Sequence, residues 1–237
     1  MKNVLVVAAL VAAAGVANAG VNLAYWAFPA VVPPSGDNFK IVFPLAADFK
    51  LNSGAANITT DAATWDGTAT PANAVLQGNF QYFTGDATNL QAGFVAGARF
   101  AVRGNTGNIM NGKQITFRFD TTGYQDLVLS YAERTTSTGA TSLDFSTSTD
   151  GTTFTPAVSV ATTRDSTFRL RTVNLSAVNS IENVGAAYVR ITFPAGYSSA
   201  SGSVGFDNIL VAGDLVPAPG AIAVLGLGGL VMSRRKR

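Results

Sequence analysis

The sequence contains no cysteine and no histidine. Without cysteine there is no disulfide and no thiolate nucleophile, so the fold must be held by its own core. Without histidine, the commonest general base, the commonest zinc ligand and every Ser-His-Asp arrangement are excluded together. Charge is scarce as well, with only 13% of residues being Asp, Glu, Lys or Arg. The 16 basic residues exceed the 14 acidic ones, but Lys2, Arg234, Arg235, Lys236 and Arg237 supply five of them. That leaves 11 basic against 14 acidic residues in the body of the chain, which is therefore mildly acidic. The net charge of +2 belongs to the ends. The body shows no basic patch, and nucleic acid is not expected as a partner.

What is present begins with two terminal addresses. Lys2 is followed by an apolar segment from Val4 to Val16 and then by Ala17-Asn18-Ala19 before Gly20. A basic start, a short apolar run and a small-x-small site make a secretory signal peptide over residues 1–19. The Sec translocon and a signal peptidase are its implied partners. At the other end, residues 216–237 read as a turn, Pro217-Ala218-Pro219-Gly220, an uncharged run from Ala221 to Met232, and a basic tail of Arg234, Arg235, Lys236 and Arg237. As a helix rising 1.5 Å per residue that run spans about 18 Å, short of a hydrocarbon core of about 30 Å. It would be a minimal, transient membrane anchor, with the cationic end kept cytoplasmic.

The order of these three C-terminal parts resembles the PEP-CTERM sorting signal of exported bacterial proteins, in its Pro-Ala-Pro-Gly variant. The resemblance implies recognition by an exosortase-like membrane protease, cleavage near Pro217 to Gly220, and release to the cell surface or extracellular matrix.

Residues 20–215 are long enough for one domain with a good core. Their pattern is that of strands. Lys113 to Phe119 alternates, with Ile115, Phe117 and Phe119 on one face. Leu127, Leu129 and Tyr131 form a second apolar face, Leu143 and Phe145 a third, and Ala187, Val189, Ile191 and Phe193 a fourth. Thr149-Asp150-Gly151 turns the chain back toward Phe154. Leu23 to Phe28, Asn79 to Phe83, Arg99 to Arg103, Phe168 to Val173 and Val204 to Val211 complete the set. Phe39 to Leu51 is expected to be an edge strand broken at Pro44, and 52–73 to be the least structured part. Only 176–183 has any helical period. The expected fold is all-β: a single β-sandwich, jelly-roll-like, flanked by the signal peptide and a C-terminal apolar helix.

The segments Ile115 to Arg134, Ser148 to Phe154, Tyr188 to Phe193 and Asp207 to Val211 also resemble domains that accompany this sorting signal. That resemblance implies a jelly-roll-like sandwich similar to carbohydrate-binding modules. Such modules place a structural calcium beside an Asp on the last strand, for which Asp207 and Asn208 are the matching positions. Ca²⁺ takes six to eight oxygens; the alternative is an Asp at a sheet rim accepting backbone N–H groups.

Catalysis could come only from paired carboxylates. Most of the acids stand in turns, where Asp bonds its own backbone, and Glu133 and Glu182 show no spacing that forces them together. No catalytic residue is expected. Sugar binding would need exposed rings; Trp65 and Tyr124 stand beside Asp and Gly in loop-like contexts, while Tyr25, Trp26, Tyr82 and Tyr197 are expected in the core. The leading expectation is a non-catalytic cell-surface or matrix protein. The alternative is a carbohydrate-binding module acting on extracellular polysaccharide, and a glycan hydrolase is a distant third.

Overall fold

The computed structural model describes residues 20–28, 41, 43–62, 80–194 and 196–217. The signal peptide with Ala17 and Ala19, Trp65, the sorting motif beyond Pro217, the apolar helix and the basic tail lie outside the described residues. Gly20 and Pro217 are described, and both are exposed.

Alternation decides most of the elements. Thirteen strands are described: β1 (Val21–Trp26), β2 (Leu45–Ala46), β3 (Phe49–Lys50), β4 (Asn57–Thr60), β5 (Phe80–Thr84), β6 (Ala98–Arg103), β7 (Gln114–Phe119), β8 (Tyr124–Thr135), β9 (Ser142–Ser148), β10 (Thr155–Ala161), β11 (Arg169–Asn174), β12 (Ala187–Thr192) and β13 (Ser203–Leu215). On β7 the inward residues Ile115, Phe117 and Phe119 lie opposite Ile191, Val189 and Ala187 of β12, so one register puts six apolar side chains on one face. Residues directly opposite across a pair share a face, which makes that register the one that buries the most.

The strands form two sheets. The first runs β11-β8-β13-β1-β3, with β6 also on β13 and β5 outside β6. The second runs β10-β9-β12-β7-β4-β2. Strand β13 is the spine of the first sheet. Strand β8 follows one side of it from Val204 to Leu215. On its other side β6 pairs with Ser203 to Phe206, and β1 takes over from Ile209 to Gly213. Sheet-on-sheet packing makes this a β-sandwich, with antiparallel pairing throughout.

The core between the sheets is aromatic. Phe100 is fully buried, and its ring centroid lies 5.6 Å from that of Phe80, 6.0 Å from those of Phe28 and Phe43, and 6.2 Å from that of Phe206. Trp26 packs edge-on against Phe117 at 5.5 Å. Such pairs add to the area each ring removes from water.

Three stretches differ from the sequence reading. The segment Phe39 to Leu51 is not one edge strand: β2 joins the second sheet and β3 the first, so the chain crosses between layers within six residues. Part of the stretch expected to be least structured is β4, whose Ile58 is fully buried opposite Phe117. Its Thr-rich composition hid a strand with one apolar anchor. The helical period at 176–183 amounts to a single 3₁₀ turn, Asn179–Ile181.

Replacing Phe100 with Ala removes the middle of this ring cluster. The expected cost is about 3–5 kcal/mol, read as a lower urea midpoint with an unchanged slope.

Candidate functional site

Strand β13 passes from β6 to β1 at Asp207 and Asn208, and there its backbone has no strand partner on that side. The register with β8 also shifts between Asp207 and Leu210, which marks a bulge, and Asn208 takes φ 48°. Asn tolerates the left-handed region better than most residues. The loop from Gly85 to Gln91 fills the gap. Asp207 Oδ2 accepts the Asp86 N–H (2.8 Å), and Oδ1 accepts the Asn208 N–H (2.8 Å). Asn208 Nδ2 donates to the carbonyls of Asp86 (2.7 Å) and Thr88 (2.9 Å), while its Oδ1 accepts the Tyr25 hydroxyl (2.8 Å). Asn89 Nδ2 donates to the Asn208 carbonyl (2.6 Å). Gly85 is required here, because a Cβ would collide with the Asp207 carboxylate and approach the Gly97 carbonyl oxygen to 2.7 Å.

Asp207 and Asn208 are fully buried, so the sequence alternative of a rim Asp is right in its bonds and wrong in its place. Their oxygens face N–H and O–H donors, and among the described residues no three acidic side chains converge. The oxygen cage that calcium needs is not assembled from this pair. The two residues pin the loop to the sheet. Phe94 from the same loop packs on Tyr25 (4.7 Å between centroids), with Ala27 and Leu210 beside it.

The pinned loop covers one part of the outer face of the first sheet. The next part is open and carries a feature that the sequence reading excluded, a basic cleft. Two adjoining hollows of about 380 and 470 Å³ share Phe83, Arg99 and Arg134; Phe168 completes one of them, and Arg103, Gln81 and Ser203 line the other. Arg99 is only 6% exposed. It donates from Nη1 to the Thr84 carbonyl (3.0 Å), while its buried Nε has no hydrogen-bond partner. Its guanidinium lies 4.8 Å from the Phe83 ring centroid and 5.6 Å from that of Phe168. The Arg134 guanidinium lies 5.9 Å from the Phe168 ring centroid and is tethered through Nε to the Ser166 carbonyl (2.7 Å). Burial, and then the neighbouring Arg134 charge, bring the Arg99 guanidinium down to about 10, against a smaller opposing effect of Asp207. Like charges thus sit close together on a body whose overall balance is acidic.

The sequence missed this cleft because its arginines come from β6 and β8, some thirty residues apart, with no basic run. The available signal was polar-side alternation: Arg99 and Arg103 fall on the face opposite Phe100 and Val102.

Of the expected ring contacts, Tyr124 opens β8 and packs half-buried against the main core, away from the cleft. Tyr25, Trp26 and Tyr197 are buried, as expected. The two glutamates are apart and separately engaged. Glu133 is 1% exposed and takes Arg171 through both oxygens (3.1 and 3.2 Å), with the Thr163 N–H at 3.2 Å. Glu182 accepts the Asp126 N–H at 2.7 Å. Among the described residues these show no arrangement for acid–base hydrolysis.

Two outcomes follow. Arg171→Met leaves the Glu133 carboxylate buried without its partner and should cost about 3–5 kcal/mol in urea unfolding. Burial chiefly, opposed by its backbone hydrogen bonds, raises the Asp207 carboxyl to about 6. The folded protein then holds a proton that the unfolded chain has released, so this group's contribution to stability falls as pH rises from about 4 to about 6. The stability gap between wild type and Asp207→Asn should therefore shift against wild type across that window; a gap independent of pH would refute it.

No protein-family model matches this chain, and no curated protein matches it in sequence. Solved structures do share its outline. A family 6 carbohydrate-binding module is 16% identical, covering 66% of this chain and 93% of its own, with a TM-score of 0.36. The K2 cleaved adhesin domain of Lys-gingipain is 13% identical, covering 69% and 93%, with a TM-score of 0.40. A family 6 module from Clostridium stercorarium, solved with cellobiose, is 17% identical, covering 66% and 93%, with a TM-score of 0.35. No ligand passes from these proteins to this chain on overlaps of this size.

Proposed function

We propose that this chain is a non-catalytic module that binds polysaccharide outside the cell, using the open outer face of the first sheet. The observation that carries this reading is the cleft of Phe83, Phe168, Arg99, Arg134 and Arg103 beside the hydrogen-bonding side chains Gln81 and Ser203. Rings set among a few fixed polar groups are what a sugar-binding surface needs: apolar area for pyranose faces and donors for hydroxyls. A pinned loop on one side and paired strands beneath keep those groups in place before a ligand arrives, which lowers the ordering cost of binding. The carbohydrate-binding alternative is therefore preferred here to a purely structural role in the matrix.

Export is part of the same proposal. The signal peptide would bring the module across the inner membrane through the Sec translocon. The PEP-CTERM-like end would hold it there until an exosortase-like protease releases it to the surface or matrix.

Purified protein should be retarded in native gels containing matrix polysaccharide. Phe83→Ala together with Phe168→Ala should weaken that retention at least about tenfold, equivalent to about 1.4 kcal/mol. Retention unchanged by both substitutions would move the site elsewhere. Intact mass of the protein recovered from its own cells should lack Met1 to Ala19 and the basic tail. A retained tail in the inner membrane would make it a simple tail-anchored protein.

A further inference from the structure

The cleft's chemistry is more specific than sugar binding requires. Neutral sugars are held by amides, carboxylates and hydroxyls, yet this surface gathers three guanidinium groups. Among the described residues the ion pairs are Arg169 with Asp165 and Arg171 with Glu133, and none involves Arg99, Arg103 or Arg134. Asp207, whose charge acts on Arg99, has both oxygens committed to backbone N–H groups. Among the described residues these cations therefore have no carboxylate ion-pair partner.

Keeping Arg99 here is costly. A buried guanidinium loses much of its hydration, and an unpartnered Nε adds to the loss. The fold nevertheless accommodates it deliberately: the side chain runs over Gly205 of β13, where a Cβ would stand 2.6 Å from Arg99 Cδ and 2.8 Å from Nε. Only a residue without a side chain leaves that path open. The Phe83 and Phe168 rings flank the guanidinium and keep water from part of it, which strengthens any charge-assisted bond that it forms. Arg134, already held through Nε, sets a second planar fork against the same ring, and such forks match carboxylate and sulfate oxygens in pairs.

Resting on the polysaccharide-binding reading, we infer that this site selects acidic polysaccharide, with Arg99 and Arg134 clamping an anionic substituent (a uronate carboxylate or a sulfate ester) while Phe83 and Phe168 border the sugar that bears it. With 14 acidic against 11 basic residues in the body of the chain, three arginines gathered in one cleft also favour the approach of an acidic polymer there.

The test uses the full-length chain in affinity gels containing polygalacturonate, dextran sulfate or neutral dextran, at an ionic strength of about 0.15 M. Wild type should bind at least one acidic polymer at least about tenfold more tightly than neutral dextran. Arg134→Gln, at a half-buried position that the core does not need, should remove most of that preference. Gly205→Ala should weaken it without changing charge, by displacing Arg99. Arg190→Gln, which removes the same charge from the outer face of the second sheet, should leave it intact. Polygalacturonate against dextran sulfate tells carboxylate from sulfate, and either supports the clamp. Equal binding of acidic and neutral polymers would overturn acid selection while leaving the polysaccharide reading in place. Binding to none of these three polymers would overturn acid selection, and a failure to bind matrix polysaccharide as well would overturn both. A preference that Arg190→Gln reduces as much as Arg134→Gln does would mean diffuse attraction and would also overturn the clamp.

Discussion

A single gap in backbone pairing governs this fold. Strand β13 must serve β8 along one side and two different strands along the other, and the pairings of β6 and β1 with it stop short of each other. Between them, the backbone at Asp207 and Asn208 would be buried with unmet hydrogen bonds, which a sheet interior does not tolerate. The bulge, the left-handed Asn208 and the loop from Gly85 to Gln91 together form the solution, with side-chain amide and carboxylate groups standing in for a missing strand. Everything on the outer face of the first sheet is placed by that repair. The loop covers the β1 side, and the β6 side stays open.

The open side inherits its chemistry from alternation. Once Phe100 and Val102 are committed to the core, Arg99 and Arg103 must emerge on the far face of β6, and Arg134 emerges opposite Gly205 by the β13–β8 register. Gly205 leaves room for Arg99 to lie flat. The core and the cleft are therefore two faces of the same strands, and the aromatic packing that fixes one positions the other.

Legibility from the sequence followed the same physics. Strands β7, β8, β9 and β12 were readable because each has a clean two-residue period over a buried face, and the Asp150 turn was readable from its Asp-Gly pair. Strand β4 was not, since it shows one apolar residue among threonines and gains its burial only from β7 opposite. The basic cleft was invisible because its arginines are distant in the chain and become neighbours only through β13. Asp207 and Asn208 stood out as polar residues in an apolar run, but nothing local showed that the loop at Asp86 would come to meet them. Tyr124 looked exposed because a turn precedes it, whereas it opens a twelve-residue strand and packs on the core.

The pairing of Val21 with Gly213 has a consequence for display. The first and last strands of the domain are antiparallel neighbours whose outer ends lie side by side, so the chain enters and leaves at one pole. Gly205, at the floor of the cleft, lies eight residues further along β13 from that pole, about 26 Å at 3.3 Å per residue. A leash attached after Leu215 would thus turn that pole toward whatever holds the leash and present the cleft on the far half of the domain. Pull along the leash would peel β13 from the tethered end, loading first its rungs to β8 at Leu215 and Asp214 and then those to β1 from Gly213, at the end of the strand remote from the arginines.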